Sequence, residues 1–534
     1  YTGVDGSWRL VTQLEGALTL RVRAWDHADA LRPLDVHATG TQRVDFTLQP
    51  HADLEQHSGA LPASAHAAAI PWQQRHLREG FVSQCHFCHQ IGNALTRRPR
   101  SEADWSAVID RMHGYGALLT FEEEREFPRI LAAHFRGEPI RAVLTPDASP
   151  VLASARYREW AFGGAANYVH DIELGSDGRF YGVDMGTDLI WILDPRTNVI
   201  ESIALPPNDL PLGGLFAGAV APLGTFAARH GPHSIVEGPD GKFYTTNSLS
   251  TEIGIFDPKT RTFEFVPTGG DTIYPHTLRF AADGKLWFTF ALSNQIGRMD
   301  IGTRRIDVID LPANGFWRWL ADAMLPTVLK VASWFPKSDL HVSLSHHQLS
   351  GQGHRVLNLP YGIDVSPVDG SIWYTKLYAG YIGRVDPKTF EVEEFATPYR
   401  GPRRARFDKD GVLWIPSFEE GYLMAFDTRS ARWLKSYRLP TLAADQYETP
   451  YALNVNNAGD GHVWITSNLS DRLFRFDPGP EQFTSYPSPT RVAFMRDIVF
   501  TPEGHVCSSN SNLPAGAIEG GRPTMLCIEP DANR

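Results

Sequence analysis

Two sets of residues stand out as able to do chemistry by type and spacing. The first is Cys85-His86-Phe87-Cys88-His89, a C-x-x-C-H run. At that spacing two thiols add to the vinyl groups of a haem and the adjacent imidazole is held beneath the iron. Cys85 and Cys88 are then the attachment points of a single covalent haem c, with His89 as the proximal ligand. A zinc half-site is the plainer alternative, but no second cysteine pair at zinc spacing lies nearby. The second set is His170, His233 and His276, which recur at equivalent places in a repeated unit. Three converging imidazoles suit zinc, copper or iron, or serve as general bases. A polar mouth with its imidazoles bonded to water is the competing reading, and both stay open.

The residues after the C-x-x-C-H run have the periodicity of helices. Ala103 to Met112 contains Trp105 on an apolar stripe. Thr120 is placed to cap a helix that opens Phe121-Glu122-Glu123-Glu124, and Ile130 to Phe135 closes the segment. The whole resembles a small class I cytochrome c. The resemblance implies that Met112, following the Trp-containing helix, is the sixth iron ligand, with His113 as its rival. A Met on a helix is also common as plain core packing. With both axial positions filled, such a haem moves electrons and leaves no open coordination site.

The elements that must position the second set form a repeat. Its clearest copy runs His276-Thr277-Leu278-Arg279-Phe280, Asp283-Gly284, Leu286-Trp287-Phe288-Thr289, then Gln295 to Asp300 and Arg305 to Ile309. That is an antiparallel meander of four strands with a tight Asp-Gly hairpin turn. Aligned turns give first-strand anchors at His170, His233, His276, Tyr361, Arg403, Tyr451 and Arg496. Four-stranded units of roughly 40–50 residues are propeller blades, so seven anchors predict seven blades. The second-strand ends, Asp184, Asn247, Phe290, Lys376, Ser417, Ser467 and Asn510, are expected to share the anchors' edge and make a polar funnel. Within it the three histidines are candidate ligands or bases and Tyr361 and Tyr451 candidate proton donors. Arg403, Arg496 and Lys376 would attract an anionic or polarised group. The last unit lacks a fourth strand, so Arg156 to Phe162, within 151–165, is expected to close the ring. Cys507 and Cys527 then lie on adjacent strands of that blade, as a disulfide that an exporting compartment permits.

The units Asp283-Gly284-Lys285-Leu286-Trp287-Phe288-Thr289 and Asn294-Gln295-Ile296-Gly297-Arg298 resemble those of the virginiamycin B (streptogramin) lyase family, over about residues 165–530. The resemblance implies a seven-bladed β-propeller. It also implies two histidines on successive first strands, matched by His233 and His276, and a catalytic Glu at the end of the later second strand. This chain has Phe290 there, which neither relays a proton nor holds a metal.

The expected organisation is mainly β: residues 1–50, 51–69, 70–140 and 151–534. Residues 1–50, with Leu18 to Val22 and Val44 to Leu48 as strands, resemble the later part of a carboxypeptidase-regulatory-like sandwich whose earlier strands would precede Tyr1. Residues 51–69 read as an Ala/His-rich linker, 70–140 as the small all-α cytochrome domain and 151–534 as the propeller. Two insertions, about Asp209 to Ala228 and Asn314 to Val356, should project from the histidine face. The second carries an apolar helical stretch, 314–335, interrupted by Pro326. It is either a membrane-surface helix or, more commonly, a stripe packed on its own domain. His341, His346, His347 and His354 follow it, and loop histidines are mostly just solvated.

Composition agrees with this organisation. With 46 Gly, 38 Pro, 14 Trp and 29 Phe in 534 residues, the chain reads as a turn-rich β protein rather than a disordered one. A net charge of −11 argues against nucleic acid as a partner. Haem attachment and a disulfide both suit a bacterial periplasm or another exported location, with the leader removed or upstream of Tyr1. The expected function is an exported oxidoreductase: the funnel converts a small molecule, and the haem exchanges electrons with an external acceptor or donor protein. The alternative is a non-redox lyase or ligand-binding propeller with a tethered electron-transfer cytochrome.

Overall fold

Seven times between residues 169 and 529 a first strand runs outward from the central axis, turns at a glycine with positive φ and returns as a second strand. Gly178, Gly241, Gly284, Gly370, Gly411, Gly461 and Gly504 hold φ between 72° and 87° at that turn, a region other residues enter at a cost. The computed structural model describes all residues except 1, 4, 11, 13, 38–39, 115–116, 147–148, 218–226, 334–355, 512–516 and 532–534. It is mainly β, a seven-bladed propeller whose blades are antiparallel four-stranded sheets, the fifth with one extra short strand, Tyr437–Arg438. Apolar side chains bury themselves between neighbouring blades: Tyr244 of the second blade packs with Leu278, Leu286 and Phe288 of the third.

The seventh blade is completed from elsewhere in the chain. Arg156–Ala161 pairs along its whole length with Thr524–Glu529, so the ring has no unpaired seam. Cys507 and Cys527 face each other across the neighbouring pair of strands and form a disulfide, 20 residues apart in sequence. Closing a loop of that length restricts the unfolded chain by about 3 kcal/mol. Cys507→Ala with Cys527→Ala should lower the free energy of unfolding by about that amount, read by urea titration of tryptophan fluorescence.

Each first strand carries an irregularity near its inner end. In the third blade Pro275 pairs with Phe290 but Leu278 with Phe288, so one extra residue sits on the first strand. The same shift recurs at Val169/Ile172, Pro232/Ser234, Pro360/Ile363, Pro450/Leu453 and Met495/Ile498, and in the fifth blade between the Pro402–Ser417 bridge and the Arg406–Trp414 pair. A regular strand would send successive side chains to opposite faces; a bulge lets two in a row reach the central channel.

The helical segment sits on the propeller. Arg75–Gly80 continues into a π-helical turn, Phe81–Cys85, followed by helices Glu102–Gly114 and Phe121–His134. Thr120 and Glu123 close a reciprocal capping box on the last of these. Phe81, Trp105, Phe127 and Leu131 make its core, and Tyr447 and Leu469 of the propeller belong to the same cluster. Residues 51–69 are not an open linker. They form helices Leu54–Ala60 and Ala63–Ala68, the second almost wholly buried, with Ser64 N donating to Leu469 O at 2.9 Å. Their small alanines permit that close approach.

Two further expectations differ from the structure. Among the described residues of 1–50, the only strands are Gly16–Val22 and Ala30–Val36; 44–48 alternates half-buried and exposed but joins no ladder, Phe46 resting against Trp8. The helix Phe316–Ser333 runs through Pro326 without a break. Leu325, packed with Leu118 and Leu357, anchors it there, while Phe316, Trp317, Trp319 and Met324 remain exposed. No described helix is long and apolar enough to cross a membrane. His341, His346, His347 and His354 lie outside the described residues.

Candidate functional site

The bulges give the channel three layers. The top layer is His170, His233, His276, Tyr361, Arg403, Tyr451 and Arg496, all buried. The residue after each forms a middle layer that includes Asp171, Arg404 and Asp497. Two residues further on lie Glu173, Arg279, Asp364, Arg406 and Asn454, which open into a cleft of about 2520 Å³ on the opposite face. The repeated hydroxyl of the second strands fixes the top layer in place. Thr246, Thr289 and Thr375 donate to the backbone carbonyls of His276, Tyr361 and Arg403 on the next blade, at 2.7, 3.0 and 2.5 Å. Ser509 does the same for His170 across the closing seam.

The top-layer rings form an arc. Ring centroids are 3.7 Å apart for His170 and His233, 4.1 Å for His233 and His276 and 4.0 Å for His276 and Tyr361. Such contact requires neutral imidazoles. Burial pushes the His170 pKa down to about 4 despite Asp171, and holds His233 and His276 well below the ordinary histidine range. Tyr361 OH donates to Tyr451 OH at 3.0 Å, and Tyr451 OH lies 3.4 Å from His170 Nε2. Behind His170, Nδ1 is 2.9 Å from Asp171 Oδ1. That contact places the ring proton on Nδ1 and frees Nε2 as an acceptor beside Tyr451, the base-and-orienter arrangement of acyl-transfer triads. Burial opposes ionisation of Asp171, but Arg404 outweighs it with two bonds at 2.9 and 2.8 Å, holding the carboxyl well below its usual range. For Tyr451 burial is likewise outweighed: Arg496, Arg404 and Arg403 draw its phenol below the ordinary value.

Not every expected funnel residue reaches this chamber. Asp184 is consumed as a local cap, accepting from the backbone N–H groups of Tyr168 and Gly186 and from Trp191 Nε1. Lys376 turns away to Glu394 at 2.6 Å and to Asn314 Oδ1 at 2.8 Å. Phe290 lies in the apolar core between blades. Among the described residues the grouping with metal-ligand reach is His170, Asp171 and His233, without His276. Asp171 in that grouping already holds His170 and Arg404. Asp171, Arg404 and Asp497 were not singled out from the sequence, because strict alternation assigns them to the opposite face; six of the bulged pairs begin with Pro or hydrophobic residues, which gave no warning.

The C-x-x-C-H run covers the mouth of the chamber. Phe87 packs against Tyr361, Tyr378 and Phe418, and Arg403 Nη2 donates to Phe87 O at 3.3 Å. His86 is fully buried with Nε2 3.0 Å from Tyr447 OH, and Gln90 Nε2 donates to Asp471 Oδ1 at 2.8 Å and Ala493 O at 2.6 Å. Burial pushes the Cys88 thiol up while Arg496 and Arg403 pull it down, which puts Cys88 within electrostatic reach of the top layer.

The donor set fits a covalent haem. Cys85 and Cys88 stand outside the disulfide, both partly exposed. His89 Nδ1 lies 3.3 Å from Gln90 O, so as a donor it leaves Nε2 for a metal. Met112 is half-buried in the last turn of its helix, and the chain beyond it returns to the motif where Leu118 N donates to Gln84 Oε1 at 2.8 Å. The His113 side chain lies outside the described residues. In the cluster that Cys85 packs against, Trp72 Nε1 and Trp105 Nε1 are buried donors with no acceptor, as expected where a polar cofactor edge belongs.

No family model matches the sequence, and no curated protein does. Solved structures do resemble the fold. Selenomethionine-substituted virginiamycin B lyase from Staphylococcus aureus is 16% identical at a TM-score of 0.50, over 70% of this chain and 99% of that one. A streptogramin B lyase structure is 17% identical at 0.51, over 71% and 100%. A catalytically inactive virginiamycin B lyase from S. aureus with quinupristin is 16% identical at 0.50, over 70% and 99%. At this identity the likeness concerns the seven-bladed fold.

Proposed function

We propose that this chain is an exported, periplasmic haem c oxidoreductase. In this reading a small substrate is bound and deprotonated in the His/Tyr/Arg chamber, under a lid that carries the haem. The observation that carries it is the contact between the two candidate centres: Phe87, inside the C-x-x-C-H run, packs on Tyr361 of the chamber. Tethering at that range replaces a diffusional encounter with an intramolecular one. When bound, the haem would supply one-electron exchange, so a two-electron oxidation of the substrate would pass its electrons one after the other through the haem to an external acceptor protein. His170, oriented by Asp171, takes the substrate proton at Nε2. Tyr451 and Tyr361 relay or donate protons, and the apolar and aromatic lid keeps water out.

The lyase-like propeller supports a second reading, a non-redox lyase at His233 and His276 with the cytochrome as a separate carrier. The buried Phe290 provides no acid or base for it.

The two readings separate in one anaerobic experiment. Ferric, haem-loaded protein is mixed with small alcohols, aldehydes and hydroxy acids while the haem bands are followed. At least one compound should reduce the haem, and His170→Ala should slow that reduction by 100-fold or more. Turnover with an unchanged haem spectrum would favour the lyase. Reduction at the normal rate in His170→Ala would remove the chamber from the mechanism.

A further inference from the structure

Arg403, Arg404 and Arg496 are 0%, 0% and 2% exposed. A guanidinium stays charged in a protein, so each buried one calls for a counter-charge. Arg404 has Asp171, at 2.8 Å. For Arg403 and Arg496 no carboxylate lies within ion-pair distance among the described residues, and their bonds go to neutral oxygens. Arg403 Nη2 donates to Tyr361 OH at 2.9 Å and to Phe87 O; Arg496 Nη2 donates to Tyr168 OH and to Ser511 O at 3.0 Å. The other carboxylate of the middle layer, Asp497, is engaged by Arg406 at 2.6 Å and Arg279 at 2.9 Å.

The donors left over belong to three guanidinium groups gathered around one phenol ring. Nε and Nη1 of Arg403, Nε and Nη2 of Arg404 and Nε of Arg496 are buried with no acceptor. The three guanidinium carbons lie 3.8, 5.5 and 5.1 Å from the Tyr451 ring centroid. An ionised Tyr451 would offset only one of the two uncompensated charges. The neighbouring imidazoles carry no negative charge in either protonation state and offset none.

We propose that the top layer is an anion site, in which Arg403 and Arg496 beside Tyr451 hold a small carboxylate. The two oxygens of a carboxylate can accept separately from single N–H groups of two guanidiniums, which a spherical ion does less well, and Nε of Arg403 and Nε of Arg496 are such groups. The site deepens the functional reading by naming the substrate class, and rests on that reading only for the bound anion being substrate. The same chemistry has two sources, a free carboxylate or a propionate of the covalent haem.

Formate is the probe, titrated calorimetrically into the full chain prepared with and without attached haem. One formate should bind per haem-loaded chain, and Arg403→Gln and Arg496→Gln should each weaken it 10-fold or more. Arg403→Lys, which keeps the charge but loses the planar array of N–H donors, should also weaken it, with unchanged circular dichroism showing that the variants fold. Binding to the haem-free chain alone would keep the carboxylate site and assign it to a propionate. No formate binding in either form, or binding equally tight in the variants and matched by chloride, overturns the site. Haem reduction by an uncharged substrate would still stand in that event, so failure here is distinct from failure of the oxidoreductase reading.

Discussion

Cys85→Ala with Cys88→Ala is expected to leave a folded, full-length chain carrying no haem that survives denaturation, against one per chain in the parent protein. Two thioethers resist denaturant, whereas a group held only through His89 and Met112 is released on unfolding. The fold should survive because the local core is built from Phe81, Trp105, Phe127 and Leu131 rather than from the thiols. Haem staining after denaturing electrophoresis, beside circular dichroism of the native protein, reads both halves of the prediction. A parent protein expressed with haem-attachment machinery that carries zinc and no haem would overturn the assignment and restore the half-site reading.

Arg404→Met should be the most destabilising single change in the channel, costing about 3–5 kcal/mol. Arg404 is fully buried, meets Asp171 at 2.8 Å and comes within 3.4 Å of Asp497. Removing it strands the carboxylate of Asp171, which is 1% exposed, away from bulk solvent. Adding Asp171→Asn should recover part of the loss, because a neutral amide no longer needs the cation; the double-mutant cycle by urea unfolding measures the coupling. A loss below about 1 kcal/mol for the single change would mean that Asp171 has another partner or is protonated.

Much of the architecture was legible because blades are local. An Asp-Gly pair between two alternating strands announces each hairpin, and Gly178 to Gly504 take the positive φ those turns demand. The seven anchors could therefore be aligned, and the top layer of the chamber identified, from spacing alone. The middle layer was hidden because one inserted residue per strand leaves no mark on a pattern of period two; Asp171 and Arg404 look like outward positions until the bulge is seen. Lys376 and Asp184 were misassigned for the opposite reason. Their place on the edge was right, but Glu394 and the backbone near Tyr168 claim their side chains, and sequence does not show such competition. Nor could spacing reveal that Phe87 meets Tyr361 and Phe418, since those contacts join parts of the chain that no local pattern connects.

The bulge on every first strand has a bearing on how such a chamber changes over time. Each blade contributes three channel positions, while the intervening side chain, such as Ile172, Leu278 or Ile498, is buried between sheets. The channel positions therefore behave as interchangeable slots on a fixed chassis. A substitution in one slot alters the chamber's chemistry without repacking the blade behind it, except where slots are tied across the ring, as Asp171 is to Arg404. Architecture and channel chemistry thus rest on different side chains of the same short strand.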